Sequence, residues 1–349
     1  MLLFSVVVPI YNVASHFHKG LRCLTQQTFV NFEIILVDDG STDGCAQLCE
    51  EAAVRHTNIK VIHQLNNGAG SARNVGIEAS TGEYICFFDI DDSVEPNWLE
   101  KIWCHIEKTK PQLLISGYRE INTRYGYETI CSFEVGKYFT NDEIKVVYVD
   151  RISSMRFNNG FVWNKVYERD FLIKNNLRFP DLKIQQDEVF NLNVFLRAER
   201  VVVTNDVLYN YFVYYSGNTR SYYISNRLDI FCRVKEAFLD FYHGCGLNDI
   251  RFLLYIHHRF IKSIIYNTDC ELFKKNSAYL YEIFNSESVA ESVQFLKTYD
   301  TEQHGIFYKY YLKAMDLHSM WHYDVVNIIE ASFTIMKYVI KCCMKIANR

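Results

Sequence analysis

The chain of 349 residues lacks an excess of charge of either sign. Its formal net charge is −4 at pH 7, and the 37 basic and 41 acidic residues are mixed along the sequence. Proteins that bind nucleic acid usually concentrate lysine and arginine on one face or segment. The composition therefore predicts that nucleic acid is not a partner.

Cysteines with the spacing of a metal site are also missing. The eleven cysteines are scattered and include no CxxC pair. Structural zinc sites need closely spaced thiolates or histidines, and disulfides are rare in the cytosol. We interpret the cysteines as reduced residues of a cytoplasmic protein.

Long hydrophobic runs are absent as well. No stretch approaches the roughly 18 uninterrupted apolar residues that a membrane-spanning helix needs. The apolar start, MLLFSVVVPIYN, has no basic region before it and no small-residue cleavage site. We expect it to be a strand rather than a signal peptide, in a protein that is not integral to a membrane.

Short apolar runs alternate with segments of helical length up to about residue 115. The runs are FSVVVPI, FEIILVDD, IKVIHQ and GEYICFFD. Near-continuous apolar runs of this length indicate strands that are covered on both faces, as in a parallel sheet. The order predicts a βαβαβαβ arrangement and an α/β fold, with a mostly parallel sheet flanked by helices.

The rest of the chain has a different pattern. Further strands are predicted around LLISGYREI and VLYNYFVYY, and beyond about residue 225 the sequence indicates successive helices. No internal repeat or low-complexity linker separates the two parts. The sequence therefore gives no sharp boundary between the two parts.

Four polar loops follow the first four predicted strands. They are PIYN, DDGSTD, NNGAGSARN and DIDD. Ligands of open α/β sheets bind beyond the carboxyl ends of the strands. Together these loops predict a binding site at one edge of the sheet.

The loop FFDIDD has two interpretations. In an extended chain Asp89 and Asp91 would project to the same side, and paired carboxylates with open positions suit Mg²⁺ or Mn²⁺. Alternatively, the carboxylates are acidic residues before a helix, with Asp92 as its N-cap. The residues alone leave both interpretations open.

The second and third loops are similarly ambiguous. Asp39 could accept hydrogen bonds from a base or ribose, but Asp-Gly-Ser is also ordinary turn chemistry. Gly68 and Gly70 resemble part of a dinucleotide motif, although they follow the third strand and the third glycine is missing. Arg73 could add a guanidinium to helix N–H groups around a diphosphate, or simply lie in solvent.

Taken in order and spacing, these motifs resemble the family 2 glycosyltransferases with the Rossmann-like GT-A fold, of the type that builds bacterial polysaccharides. The resemblance covers about the first 115 residues. It implies a nucleotide-sugar site whose residues have distinct roles. The implied contacts are Pro9 and Tyr11 beside the base, Asp39 on it, Asn66 and Arg73 near the base and phosphates, Asp89 on the ribose or the metal, and Asp91 on the metal.

The resemblance continues into the middle of the chain. Trp163, Asn164 and Lys165 match a W-N-K element that lines the acceptor side. The catalytic base of the family matches Asp187 in IQQDEVF, where Gln186 replaces the usual glutamate; Glu188 is the second candidate. Both acidic residues could instead only cap the helix that follows.

The implied activity is an inverting, metal-dependent transfer of a hexosyl or N-acetylhexosaminyl group. The donor would be a nucleotide-diphosphate sugar, in this family usually a UDP-sugar, and the acceptor a saccharide or lipid-linked saccharide for surface polysaccharide such as capsule. The corresponding division is a catalytic domain at 1–220, with donor half 1–115 and acceptor half 116–220, and a helical region at 221–349.

Residues 331–349 form a predicted basic amphipathic helix, with lysine or arginine at every fourth position from 337 to 349. Such a helix can lie on anionic lipid, which would place a cytoplasmic protein on the inner face of the membrane. It could equally pack on the protein's own helices.

Three other functions compete with glycosyl transfer. A nucleotidyltransferase would be expected to carry an N-terminal glycine-rich loop with a basic residue, which PIYNVASHFHKG does not supply. A nicotinamide oxidoreductase would carry its glycine motif after the first strand. A non-catalytic nucleotide-sugar or glycan-binding module is favoured only if Gln186 marks a decayed active site.

Overall fold

The computed structural model describes residues 2–132, 137–140, 160–214, 226–266, 282–283 and 285–300. The chain divides into two compact units, residues 1–224 and 225–349. The donor, acceptor and helical roles assigned above to parts of the chain stay predictions. The basic tail of residues 331–349 lies outside the described residues, so its amphipathic helix also stays a prediction.

The described part of the first unit contains ten strands and six helices. The strands are β1 (Phe4–Ile10), β2 (Phe32–Asp38), β3 (Ile59–His63), β4 (Tyr84–Phe87), β5 (Ser93–Val94), β6 (Leu113–Asn122), β7 (Tyr127–Cys131), β8 (Lys137–Thr140), β9 (Lys165–Glu168) and β10 (Arg200–Val213). The helices are α1 (Ala14–Thr25), α2 (Cys45–Arg55), α3 (Ala69–Ala79), α4 (Trp98–Thr109), α5 (Arg169–Lys174) and α6 (Gln186–Arg197). Strands and helices alternate from β1 to β4, which confirms the predicted βαβαβαβ order.

These strands form one sheet whose main path is β3–β2–β1–β4–β9–β6–β10–β5. The neighbours from β3 to β4 pair in parallel, as do β6 and β10. In contrast, β9 is antiparallel to β4 and β6, and the short β5 is antiparallel to β10. Because β5 follows the loop after β4, this pairing brings β10 next to that loop.

The apolar runs of β1, β2 and β4 become central strands because their side chains are buried on both faces, whereas β3 lies at the edge of the path and is only partly buried. All seven residues of β2 are buried, including Glu33. Glu33 accepts hydrogen bonds from the Ser5 hydroxyl and the Thr81 N–H, each at 2.7 Å, and its second oxygen lies 2.6 Å from the Lys60 ammonium. Burial alone would raise its pKa, but these partners lower the pKa of Glu33 to about 2.

Helix α1 approaches the loop after β4 closely. A side chain at Gly20 would overlap the carbonyl group of Ile90. Ile90 is itself 2% exposed, as expected for the apolar residue between two half-buried carboxylates. Helix α1 therefore supports this loop from beneath, and only glycine leaves room for the contact.

The second unit is helical in its described part. Its helices are α7 (Arg227–Gly244), α8 (Ile250–Tyr266) and α9 (Glu287–Tyr299). The buried ammonium of Lys235 donates to the Ser288 carbonyl and hydroxyl and to the Glu291 carboxylate, so α7 and α9 are joined by a polar contact. None of the described helices in either unit has the length and apolar character needed to cross a membrane.

Candidate active site

The loops after β1 and β2 are tied to each other by hydrogen bonds. The Asn12 side-chain oxygen accepts from the Thr42 N–H at 2.8 Å, and the Asp43 carboxylate accepts from the Ala14 N–H at 2.8 Å. Asp43 also accepts from the Cys45 N–H. One carboxylate therefore binds the amino ends of α1 and α2, which fixes the mouth of the predicted base pocket.

Pro9, Tyr11 and Asn66 all lie at this mouth. Pro9 is half-buried in β1, whereas Tyr11 is 49% exposed just beyond the end of that strand. Asn66 is exposed in the loop after β3, and a Cβ on Gly40 would lie 2.9 Å from the Asn66 nitrogen. The loops after β1, β2 and β3 thus meet, as predicted for the carboxyl ends of neighbouring parallel strands. The individual contacts with a base stay predictions.

Asp39 holds the loop after β3. Its carboxylate is 2% exposed and accepts hydrogen bonds from the Asn67 N–H at 2.8 Å, the Gly68 N–H at 2.8 Å and the Gln64 side chain at 2.6 Å. A carboxylate can accept about four hydrogen bonds. A base bound at Asp39 would therefore share carboxylate oxygens that already accept hydrogen bonds from the loop after β3.

The carboxylates after β4 lie on a turn rather than on an extended chain. The strand ends at Phe87, and the Asp92 N–H donates to the Asp89 carbonyl at 3.0 Å. Asp89 and Asp91 are half-buried, while Asp92 is 2% exposed. The turn, not strand alternation, presents the first two carboxylates to the site.

The interpretation of Asp92 as a helix cap is wrong. Helix α4 begins at Trp98, after the short strand β5, and Asn97 occupies its N-cap position. Asp92 instead accepts from the Phe212 N–H at 2.9 Å and from the Tyr209 hydroxyl at 2.8 Å. The Asp92 carboxylate thus joins the turn to β10. The pairing of β5 with β10 brings the donors of Tyr209 and Phe212 next to it.

Arg73 lies between the two ends of the site. It is 4% exposed in the second turn of α3, and its guanidinium donates to Asp187 at 2.7 Å and to Asp89 at 2.9 Å. Burial opposes its charge, but Asp187 and Asp89 raise the pKa of Arg73 and keep it protonated. The solvated arginine considered above is excluded, and its predicted contact with phosphates stays a prediction.

Helix α3 also holds the segment that leads to Asp187. The Asn74 side chain exchanges two hydrogen bonds with the backbone of Phe179, at 2.8 and 2.9 Å. A Cβ on Gly70 would lie 3.2 Å from the Gln186 side chain, so glycine permits close packing there. The sequence interpretation missed this contact. In the sequence, this contact is indicated only by Gly70 and by the adjacent Arg73 and Asn74 on one helix.

Asp187 occupies the first turn of α6, as the sequence predicted for the base. Its side chain is 25% exposed, so it remains within reach of a substrate. Burial raises the pKa of Asp187 to about 6; Arg73 acts in the opposite direction and Asp89 adds to the increase. Glu188, the second candidate, is half-buried in the same turn.

The W-N-K element is buried beneath the site. Trp163, Asn164 and Lys165 are each at most 2% exposed. The Asn164 amide donates to the Ser116 carbonyl of β6, and the Lys165 ammonium donates to the Asn164 oxygen. Burial lowers the pKa of Lys165 to about 7, and the Asp187 carboxylate opposes that effect. The element supports the site from within the protein, and its acceptor-side role stays a prediction.

The carboxylates of the turn fit a divalent cation shared with a substrate. Burial and the neighbouring charge of Asp89 raise the pKa of Asp91, and a bound cation would relieve both effects. Among the described residues, no group of three or more His, Cys, Asp or Glu side chains is arranged to hold a metal. Mg²⁺ is commonly held by one or two carboxylates plus water and phosphate oxygens, which is what Asp91 and Asp89 can offer.

Comparison with known proteins also indicates a glycosyltransferase. Residues 5–165 match the family model for glycosyl transferase family 2. The chain is 35% identical over 211 residues to the glycosyltransferase EpsJ of Bacillus subtilis, covering 60% of each protein. It is 31% identical over 216 residues to the glycosyltransferase GlyG of Streptococcus pneumoniae, covering 60% of this chain and 70% of GlyG. It thus spans about 60% of the length of relatives such as EpsJ.

The fold has a solved counterpart. The structure of Staphylococcus aureus TarS residues 1–349 in complex with UDP-GlcNAc superposes with a TM-score of 0.69 at 20% identity, covering 95% of this chain and 92% of that one. This similarity confirms the GT-A fold predicted from the motifs. Because the family model covers the loops after β1 to β4, and GlyG is 31% identical and matched over 70% of its length, the chain belongs to glycosyl transferase family 2.

Proposed function

We propose that this protein transfers a sugar from a nucleotide-diphosphate sugar to a hydroxyl of a saccharide or lipid-linked saccharide in surface polysaccharide synthesis. The observation that carries the proposal is that Arg73 brings Asp89, on the predicted donor side, together with Asp187, the predicted base. UDP is the expected nucleotide, because TarS structures of the same fold contain UDP-GlcNAc or UDP.

The chemistry requires a single displacement at the anomeric carbon. Asp187 accepts the proton of the acceptor hydroxyl while the acceptor oxygen forms a bond to that carbon. The bond between the same carbon and the diphosphate oxygen breaks, and the diphosphate leaves with the bonding electrons. One displacement inverts the configuration, so one carboxylate base is sufficient.

Asp91, together with Asp89, would hold Mg²⁺ or Mn²⁺. When bound there, such an ion supplies charge neutralisation for the departing diphosphate. Arg73 orients the base, because its guanidinium donates to the oxygen of Asp187 at 2.7 Å. The same pairing places the base at a fixed distance from the carboxylate turn.

The experiment that tests the proposal measures hydrolysis and binding of a panel of nucleotide-sugars with and without Mn²⁺. We expect metal-dependent release of UDP from one UDP-sugar in the absence of acceptor. Asp91→Ala should lose the metal-dependent part of UDP binding, because a carboxylate proposed to hold the ion is removed. Asp181→Ala, an exposed carboxylate outside the turn, is the matched control and should bind as the wild type does.

Two outcomes would contradict the proposal. Binding of a nucleotide-sugar without any turnover would favour a binding module whose active site has decayed at Gln186. Metal-independent binding that Asp91→Ala leaves unchanged would remove the turn from the donor site.

The proposed base also predicts the pH dependence of the reaction. Asp187 must be ionised to accept a proton, and burial raises its pKa to about 6. The rate should therefore be nearly constant above pH 7, where about nine-tenths of the groups are ionised, and fall tenfold per pH unit well below 6. A profile of kcat/KM between pH 4.5 and 8 checks this. An acid limb centred near pH 4 would mean that an ordinary, exposed carboxylate is the base.

A further inference from the structure

The turn that carries the candidate metal carboxylates is attached to a single buried hydroxyl group. Tyr209 of β10 is 0% exposed, and its hydroxyl accepts from the Asp89 N–H at 3.2 Å and donates to the Asp92 carboxylate at 2.8 Å. The second Asp92 oxygen accepts from the Phe212 N–H at 2.9 Å. One side chain therefore connects the first and the last residue of the turn.

The ring of Tyr209 is fixed on both sides. Trp163 stacks on it with ring centroids 4.4 Å apart and an angle of 14° between the planes. Phe88, at the start of the turn, contacts it edge-on at 5.9 Å. These two ring contacts hold the Tyr209 ring where its hydroxyl reaches both Asp89 and Asp92.

Two further contacts complete the support of the turn. The hydroxyl of Tyr214, the residue after β10, donates to the Asp91 carbonyl at 3.2 Å. Gly20 of α1 leaves just enough space for the Ile90 carbonyl. The backbone of the turn is thus held at each of its residues, while the Asp89 and Asp91 side chains are half-buried.

We propose that Tyr209 is a positioning residue for cation binding: it holds the turn so that Asp89 and Asp91 present their carboxylates together, and Trp163 acts through it. This inference rests on the proposed function. It assigns the tryptophan of the W-N-K element to the donor side of the site, because Trp163 is 2% exposed and stacks on Tyr209, whose hydroxyl donates to Asp92 of the turn.

The hydroxyl matters because Tyr209 and its partner Asp92 are buried, at 0% and 2% exposed. Removing it leaves the Asp89 N–H and one oxygen of the buried Asp92 unsatisfied, and the turn can recover these hydrogen bonds only by changing shape. Groups that orient metal ligands from behind typically contribute about 10- to 100-fold in metal affinity or activity. Replacement of Tyr209 by phenylalanine should weaken Mn²⁺ binding by that factor.

Tyr118→Phe is the matched control. Tyr118 is also buried, also packs against Trp163 with centroids 4.9 Å apart, and directs its hydroxyl to Cys131 rather than to the turn. Both variants lose one buried hydroxyl next to the same tryptophan. The difference that the experiment uses is that the Tyr209 hydroxyl bonds to the carboxylate turn.

The experiment titrates the full chain with Mn²⁺ in the presence of UDP and follows free Mn²⁺ by electron paramagnetic resonance, with UDP binding in EDTA and thermal unfolding measured in parallel. We expect Tyr209→Phe to weaken Mn²⁺ binding about 10- to 100-fold, with UDP binding in EDTA unchanged. Tyr118→Phe should keep the Mn²⁺ affinity of the wild type. Trp163→Phe, which keeps the hydroxyl but loosens the ring, should give a smaller loss and serves if Tyr209→Phe does not fold.

Three results would overturn the inference. Wild-type Mn²⁺ affinity in folded Tyr209→Phe would show that the hydroxyl does not position the turn. Equal losses of Mn²⁺ affinity in the Tyr209 and Tyr118 variants would show that the Tyr209 hydroxyl only stabilises the protein in general. An unchanged Mn²⁺ affinity in Trp163→Phe would show that Trp163 does not act through Tyr209. If the wild-type protein itself binds neither UDP nor Mn²⁺, the proposed function fails, and the inference fails with it.

Discussion

Replacing Asp187 by asparagine is expected to lower kcat by about 10²- to 10⁴-fold, the usual contribution of a placed general base. The amide has nearly the same shape and can still accept a hydrogen bond from Arg73, but it cannot take the proton of the acceptor hydroxyl. Affinity for UDP should therefore stay close to that of the wild type. Steady-state kinetics with the identified donor, together with calorimetric UDP binding, measures both quantities.

Glu188→Gln distinguishes the two candidate bases. It changes the neighbouring carboxylate in the same first turn of α6, so its effect on helix stability should be similar. If Glu188→Gln removes turnover and Asp187→Asn does not, Glu188 is the base. The acid limb of the pH profile should disappear only in the variant that lacks the true base.

Replacing Arg73 by methionine is expected to lower the free energy of unfolding by about 3 kcal/mol at neutral pH, near the lower end of the range for breaking a buried ion pair. The reason is that Asp89 and Asp187 would face each other without the cation that now lies 2.9 and 2.7 Å away. Their partial exposure, 29% and 25%, limits the loss. Urea denaturation at pH 7 measures it.

The loss should become smaller as the pH falls. Without Arg73, the two carboxylates bind protons more readily in the folded state than in the unfolded chain, so protonation restores part of the stability. Arg55→Met is the control, since Arg55 pairs with Glu51 at 3.4 Å on an exposed helix face, and such pairs contribute about 0.3 to 0.5 kcal/mol. Equal losses in both variants at pH 7 would contradict the role assigned to Arg73.

The candidate donor half could be predicted from the sequence to a large extent. Near-continuous apolar runs indicate strands of a parallel sheet, and the carboxyl ends of parallel strands share one edge. The sequence therefore predicts that the loops of Asp39, Gly70 and Asp91 lie together.

The error over Asp92 comes from partners that are distant in the chain. A helix signal follows Asp92 and predicts a helix cap, but its partners lie on β10, up to 120 positions away. Arg73 shows the same limit of local patterns. Its contact with a diphosphate stays a prediction, whereas its partner Asp187 lies 114 positions further on, and no local pattern connects the two.

The sequence by itself determined the order of strands and helices, the edge of the sheet where the site lies, and the types of group present there. These follow from periodicity and chain direction, which are local properties. Only the tertiary structure decided that Arg73 joins Asp89 to Asp187 and that Tyr209 supports the carboxylate turn. Such pairings depend on how the antiparallel β9 and the long β10 complete the sheet, and a side chain's partner across more than 100 residues is set by that packing.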